Sequence, residues 1–222
     1  MTWNTAKSIL EIRPKTPLEV FMFRNKIRKA ITGESVTEVP SEGVNYKDKN
    51  KKLSVGVQPN LINANIESGD STKDLKILIG LMKQVNNDVG ISNIARIGYR
   101  TFRYAEIESD SYEEFIDEFK KVYFKETSFI GGSSDLALVG AFTDGAISVN
   151  VNIGPMQGSE LKDKQLQFSE DLELPSFYIF VDVDISTINI RSSNSEIKKF
   201  TDAATQHTEK VLKVIGKDWS TK

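Results

Sequence analysis

Hydrophobic and polar residues alternate along much of the chain with the two-residue period of β-strands. The segments with this pattern are residues 8–13, 53–57, 62–66 and 177–190. The apolar positions are odd up to Val57 and even from Ile62 onwards. This change predicts a bulge or break near Pro59 and Asn60. A further strand is predicted over 95–108, where both faces are mixed, as for a sheet whose second side is partly covered.

Other segments place apolar residues three and four positions apart, which predicts four helices. Their start signals, in chain order, are Thr16 to Glu19, Ser71 or Thr72, the capping box Ser111 to Glu114 and the capping box Ser193 to Glu196. Glycine follows each of three of them, at Gly33, Gly90 and Gly216. The predicted inner face of the last and longest helix consists of Ile197, Phe200, Ala204, His207, Val211 and Val214.

The remaining segments predict turns and loops. A hairpin is predicted from residues 136–143 through an Asp144-Gly145 turn to residues 146–153. Residues 34–51 are polar and predict a long exposed loop, and a short strand is expected around 166–168. Together these elements predict an α+β fold, with a mostly antiparallel sheet, about four helices packed mainly on one face and a long C-terminal helix. The length of 222 residues favours a single domain over 1–222.

Composition and charge exclude several classes of protein. The 39% hydrophobic content is ordinary for a globular chain, and the formal net charge of -2 disfavours a general nucleic-acid binder. The chain has no cysteine, which removes thiol nucleophiles and thiolate metal sites and fits a reducing compartment. No signal peptide and no segment of ~20 apolar residues is recognisable. We therefore expect a cytoplasmic protein of a bacterium or phage, without membrane segments or a cofactor.

Three groups of residues are candidates for a functional site. His207 is the sole histidine, and its place on the inner face of a helix favours a packed core residue over a catalytic one. Asp182 and Asp184 lie on one face of a strand, roughly 6 to 7 Å apart, where they could bind a hard divalent cation. Polar outward faces are usual in antiparallel sheets, so solvated or interface aspartates are favoured. Asn150 and Asn152 would strengthen the metal hypothesis only if their strand were its neighbour.

The third group combines arginine with aromatic residues. Arg96, Arg100, Phe102 and Tyr104 share one face of a strand, an arrangement that can grip phosphates and stack bases. The favoured interpretation is that arginine stems cover apolar surface while their heads pair with acids. Tyr178 and Phe180 lie on the same strand face as the two aspartates. Together these aromatic residues and arginines, with His207, are the candidate ligand-binding or partner-binding residues.

Catalytic motifs are missing from the sequence. There is no phosphate-binding glycine loop, no Gly-x-Gly-x-x-Gly, no Gly-x-Ser-x-Gly elbow and no His-Glu-x-x-His helix. The lysine-rich run of residues 47–52 contains an aspartate and predicts a solvated loop.

The strand 96–103, Arg-Ile-Gly-Tyr-Arg-Thr-Phe-Arg, resembles the Arg-x-Gly-x-Arg-aromatic strand of a sporadically distributed family of uncharacterised bacterial proteins. In that family the motif strand is followed by a helix, several strands and a terminal helix, an order similar to the last two thirds of this chain. Thr101 and Arg103 stand where the family pattern has tyrosine and asparagine. The resemblance implies no established activity, and the family's scattered occurrence points to mobile-element or defence genes.

Three functions follow as hypotheses. The leading one is a non-enzymatic protein-interaction module, an accessory or defence-associated component that binds a protein partner or its own copy. Its contacts would come from the exposed sheet face or the terminal helix. The second is a small-ligand binder with a cavity between a curved sheet and the C-terminal helix, into which His207 would point. The third is a metal-dependent enzyme centred on Asp182 and Asp184.

Overall fold

The computed structural model describes residues 1–20, 25, 37–38, 43–48, 50–67, 70–124, 136–163 and 176–220. Within these ranges it confirms the α+β fold, with a single antiparallel sheet and a long C-terminal helix. Most of the helix predicted from Pro17 to Gly33 lies outside the described residues. Of the described positions, Val20 and Asn25 are helical but residues 17–19 are not, so the predicted start at Pro17 is wrong. The strand predicted around 166–168 also lies outside the described residues.

Nine strands form the sheet. They are β1 (Asn4–Pro14), β2 (Thr37–Glu38), β3 (Val44–Asp48), β4 (Leu53–Gln58), β5 (Leu61–Ile66), β6 (Asn93–Glu106), β7 (Leu138–Asp144), β8 (Ile147–Gln157) and β9 (Phe177–Arg191). Their spatial order is β2-β3-β4-β5-β1-β6-β9-β8-β7, and every neighbouring pair is antiparallel. The centre of the sheet is therefore built from β1, β6 and β9, which are far apart in sequence.

Besides the helical residues Val20 and Asn25, four helices with described bounds accompany the sheet. They are α1 (Ser71–Val89), α2 (Tyr112–Tyr123), α3 (Gly158–Asp163) and α4 (Asn194–Ser220). Ser111 and Ser193 are confirmed as the caps of α2 and α4, because Ser111 Oγ accepts from Glu114 N at 3.2 Å and Ser193 Oγ accepts from Glu196 N at 3.3 Å. The cap of α1 is different from the one predicted. Its N-cap is Asp70, whose carboxylate accepts the backbone N–H groups of the second and third helical residues.

The main core lies between one face of the sheet and helices α1, α2 and α4. Buried residues of these helices, such as Leu78, Phe115 and Phe200, belong to the same hydrophobic cluster as Leu10, Tyr99 and other inward residues of the strands. The opposite side of the sheet carries a separate, smaller cluster that contains no residue from a described helix. We call this second side the open face. In the described residues, the helices are thus packed mainly on one face, as predicted, and the cluster on the other face is built from strand side chains.

The prediction of a loop over residues 34–51 is wrong, because β3 occupies residues 44–48. Its inward residues are Val44, Tyr46 and Asp48. The aspartate hides the apolar alternation, although it is buried and accepts from Lys51 N at 3.0 Å and from the tyrosine hydroxyl at 3.3 Å. The predicted break near Pro59 is confirmed as a hairpin, in which Gln58 pairs with Leu61.

Several boundaries also differ from the sequence prediction, most clearly at the β7–β8 turn and at the end of α4. The β7–β8 turn is Gly145-Ala146 and not Asp144-Gly145, because Asp144 pairs with Ile147; Gly145 has a φ of 58°, which suits the first position of such a turn. Helix α4 does not end at Gly216. It continues to Ser220 and turns Leu212, Ile215 and Trp219 inward, whereas the side chain of Val214 is 53% exposed.

Candidate interaction face of the sheet

The register of β6, β9 and β8 brings most of the predicted site residues together on the open face. Arg100 is directly opposite Asp184, and Phe102 is opposite Asp182. On the other side of β9, Asn150 lies opposite Asp184 and Asn152 lies opposite Asp182. The strand of the two asparagines is therefore the neighbour of the aspartate strand, a condition that the sequence left open.

The four aromatic candidates form the small hydrophobic cluster of the open face. Phe102 stacks on Phe180 with ring centroids 5.9 Å apart, and Tyr104 meets Tyr178 edge to face at 5.8 Å. Tyr178 is fully buried, and its hydroxyl donates to the carbonyl of Gln157 at 2.8 Å. The rings are held in a packed cluster, supported by Ala6, Ile9 and Met156. They therefore stabilise this side of the sheet and leave little ring surface for a partner.

Beside the aromatic cluster runs a ladder of ion pairs that crosses three strands. Arg96 donates to Glu11 at 2.9 Å and lies 3.4 Å from a carboxylate oxygen of Asp184. Arg100 donates through Nε and Nη2 to both oxygens of Asp182, at 2.8 and 2.5 Å. This fork-to-fork geometry is the strongest form of an arginine–carboxylate pair. The ladder therefore neutralises its own charges within the sheet.

The structure explains why a glycine, Gly98, stands two positions after Arg96. A Cβ atom built on Gly98 would lie 2.8 Å from Nη1 of Arg96, because the guanidinium crosses the strand directly above the glycine. The missing side chain lets Arg96 reach Glu11 on β1 and Asp184 on β9. Arg100 also lies 4.9 Å from the centroid of Phe102, which joins the ladder to the aromatic cluster.

Two members of the ladder have raised pKa values, for different reasons. Burial raises the pKa of Asp184, and the charges of Arg96 and Arg100 only partly offset this effect. For Arg100, the hydrogen bond with Asp182 raises the pKa further above its usual value. The two arginines thus offset only part of the desolvation cost of the Asp184 carboxylate.

The carboxylates predicted as metal ligands are already engaged by arginines. Asp182 binds Arg100 with both oxygens, and Asp184 lies beside Arg96. Among the residues that the structure describes, no three His, Cys, Asp or Glu side chains are grouped to hold a metal ion. A metal there would have to displace guanidinium groups from the oxygens that it needs.

The accessible part of the open face is rich in neutral polar groups. Asn150 and Asn152 are exposed beside the aspartates, and on the far side of β1 the side chains of Asn63 and Asn65 are partly exposed. Asn65 donates to Ser54 at 3.1 Å. Sequence reasoning missed the asparagines of β5, although the alternation in Ile62-Asn-Ala-Asn-Ile66 places them on one face.

His207 lies apart from the open face. It is buried on the helix side, with its Nε2 atom 3.5 Å from Asp144 and its ring 6.0 Å from that of Phe142. The histidine thus packs α4 against the end of the β7–β8 hairpin.

A cavity of about 120 Å³ does lie between the sheet and α4. Its lining includes Tyr99, Arg103 and Thr208 but not His207. Burial lowers the pKa of Arg103, while nearby acidic groups oppose that shift. This cavity is smaller than the roughly 300–1,000 Å³ of typical ligand pockets, whereas a more open depression of about 420 Å³ lies beside it and shares Arg103 with it.

Comparison with known proteins assigns this chain to no family. No family model matches the chain, and no curated protein does. Among solved structures, TBP from Methanococcus jannaschii aligns over 93% of this chain and 99% of its own, with 12% sequence identity and a TM-score of 0.32. This value is too low to carry an argument. No helix in the described ranges is long and apolar enough to span a membrane.

Replacing the two aspartates by asparagine should have different effects. The raised pKa of Asp184 means that the folded protein binds this proton more tightly than the unfolded chain does. Its ionisation therefore costs stability, and this cost appears as the pH rises through the folded-state pKa, above 3.8. Asp184→Asn removes that cost, so its stability relative to the wild type should increase between about pH 4 and pH 7.

Asp182→Asn is the matched control, because it breaks the two-pronged bond with Arg100. We expect it to lose about 1 kcal/mol at pH 7. Urea unfolding of the three proteins across this pH range measures both effects. Equal destabilisation by the two substitutions, without pH dependence, would contradict the described ladder.

Proposed function

We propose that this protein is a non-enzymatic protein-interaction module that binds a partner protein on the open face of its sheet. The observation that supports the proposal is a sheet surface on which no described helix residue joins the hydrophobic cluster, and whose central arginines and aspartates are paired with one another. We further propose a cytoplasmic location, which the lack of cysteine supports because it fits a reducing compartment.

The energetics of the open face favour a protein partner. Arginine and aspartate side chains that are paired within the surface need not lose their partners on binding, which lowers the desolvation cost. Between and beside them lie Asn150 and Asn152, whose amides both donate and accept hydrogen bonds. Ile188 adds an apolar side chain that is 61% exposed on the same face. Paired charges, amides and scattered apolar groups are the usual composition of a transient protein interface.

A catalytic, metal-binding or nucleic-acid-binding function at this face has less support. Its carboxylates are bound by guanidinium groups, and His207 is on the other side of the sheet. Phosphate or nucleic-acid binding would need Arg96 and Arg100 to leave carboxylates that hold them at hydrogen-bond distance. A partner protein can instead bind over the ladder without breaking its ion pairs.

Affinity capture with the full chain tests this function. Asn152→Lys places a long charged side chain on the open face, opposite Asp182, while Gln206→Lys makes the same kind of change at an exposed position of α4. From an extract of the native host, the wild type and Gln206→Lys should retain the same protein. Asn152→Lys should retain at least about tenfold less of it, because the longer side chain and its charge obstruct docking on this face. No retained protein, or equal retention by all three baits, would refute the proposal.

A further inference from the structure

Strand β7 forms one end of the sheet in the described ranges, and six of its seven residues lack the charge or proline that commonly protects an edge. No strand in the described ranges pairs with its outer side, and six of its seven residues are exposed. Val139 is 72% exposed and Phe142 is 42% exposed. From Leu138 to Thr143 there is no charge and no proline, and the pairing with β8 has no bulge. Such an edge is a template for another strand.

The pairing with β8 determines which backbone groups face outwards. Asp144 and Ile147 close a two-residue turn, so they form a hydrogen-bonded pair. Hydrogen-bonded and non-hydrogen-bonded pairs alternate along an antiparallel ladder. The N–H and C=O groups of Val139, Ala141 and Thr143 therefore point away from β8, towards the outer edge.

We propose that β7 pairs antiparallel with β7 of a second copy of this chain, about a two-fold axis at Ala141. In this register Ala141 faces its own copy, and Val139 faces Thr143 of the second copy. The three outward residues of each strand then form about six hydrogen bonds. The two nine-stranded sheets join into one continuous sheet.

The side chains of β7 favour its own copy as the occupant. The two-fold register places Phe142 opposite Gly140 of the second copy, in a non-hydrogen-bonded pair where side chains approach closely. Nothing lies within 4 Å of the position that a Cβ atom on Gly140 would occupy, so the ring has room there. An aromatic ring that covers an edge glycine is a stabilising cross-strand pair. Because residues 138–143 are uncharged, two copies approach without repulsion along the strand.

The opposite end of the sheet is constructed differently. In the described ranges it ends in β2, next to β3 with an exposed Lys47. Charge is a common means of protecting an edge. Self-pairing at β7 therefore closes the sheet at two-fold symmetry and does not propagate into a fibre. It uses the edge and not the open face, so it is independent of the function proposed above.

Light scattering of the full chain after size exclusion, over a dilution series, tests the dimer. We expect a concentration-dependent dimer for the wild type. Val139→Lys should raise the dissociation constant at least about tenfold, since it puts a charge beside the new ladder. Ile188→Lys makes the same change at another exposed apolar residue, away from β7, and should leave the dimer unchanged. A strictly monomeric wild type would overturn the proposal, as would a dimer that Val139→Lys does not weaken.

An introduced cysteine tests the register. The chain has no cysteine of its own, so Ala141→Cys provides a single thiol. Paired residues at the two-fold axis have Cα atoms about 5.5 Å apart, within the range of a disulfide. Mild oxidation should convert Ala141→Cys to a covalent dimer much faster than Ile188→Cys. Equal rates for the two variants would refute pairing about Ala141.

Discussion

Tyr178→Ala should lower the free energy of unfolding by about 3–5 kcal/mol, the usual cost of truncating a buried aromatic residue. Tyr178 is fully buried on the open face, meets Tyr104 edge to face and donates its hydroxyl to Gln157. Its removal leaves a cavity under the surface that we propose for binding. Urea unfolding, monitored by circular dichroism, measures the loss.

Tyr178→Phe separates packing from hydrogen bonding. It keeps the ring contacts and removes only the donor to the Gln157 carbonyl, so we expect a loss of about 1 kcal/mol. A loss below about 1 kcal/mol for Tyr178→Ala would show that the aromatic cluster is not a packed core and would contradict its place in the structure.

Trp219→Ala should be comparably destabilising, by about 3–5 kcal/mol. The indole is only 8% exposed and lies against Phe115 and Phe119, with centroids 5.9 and 6.5 Å apart. It packs the last turn of α4 against α2. Its loss should therefore also increase local unfolding at the C-terminal end of the helix. Urea unfolding gives the energy, and hydrogen exchange of the last turns gives the local effect.

Val214→Ala is the control for the orientation of α4. Apolar periodicity placed Val214 on the inner face, whereas the structure exposes it. An exposed position should change stability by less than about 0.5 kcal/mol. A large loss for Val214→Ala with a small one for Trp219→Ala would mean that the helix is rotated from its described orientation.

Much of the fold can be predicted from local signals. Ser111 and Ser193 cap their helices as predicted, because a capping box depends only on residues three apart. The errors arise where local signals compete or are hidden. Asp70 precedes two other good caps and binds the helix N–H groups in their place, and Asp48 occupies an inward strand position because its carboxylate is satisfied by the turn.

The candidate site could be predicted only in part. Alternation correctly placed Arg96 with Arg100 and Asp182 with Asp184 on their respective strand faces. The pairing of β6 with β9, which are separated by two helices and two strands, depends on the whole sheet. Without that register, the sequence identifies the arginines and aspartates as candidates but does not predict which of them form ion pairs. The burial of the aromatic side chains likewise depends on contacts between distant strands.

Site-specific photo-crosslinking in native host cells tests whether a partner protein contacts the open face directly. A photoreactive phenylalanine analogue replaces Asn152 on the open face or, as the control, Gln206 on α4. We expect a discrete protein adduct at position 152 and none at position 206. An adduct at position 206 alone, or none at either position, would contradict direct contact at the open face.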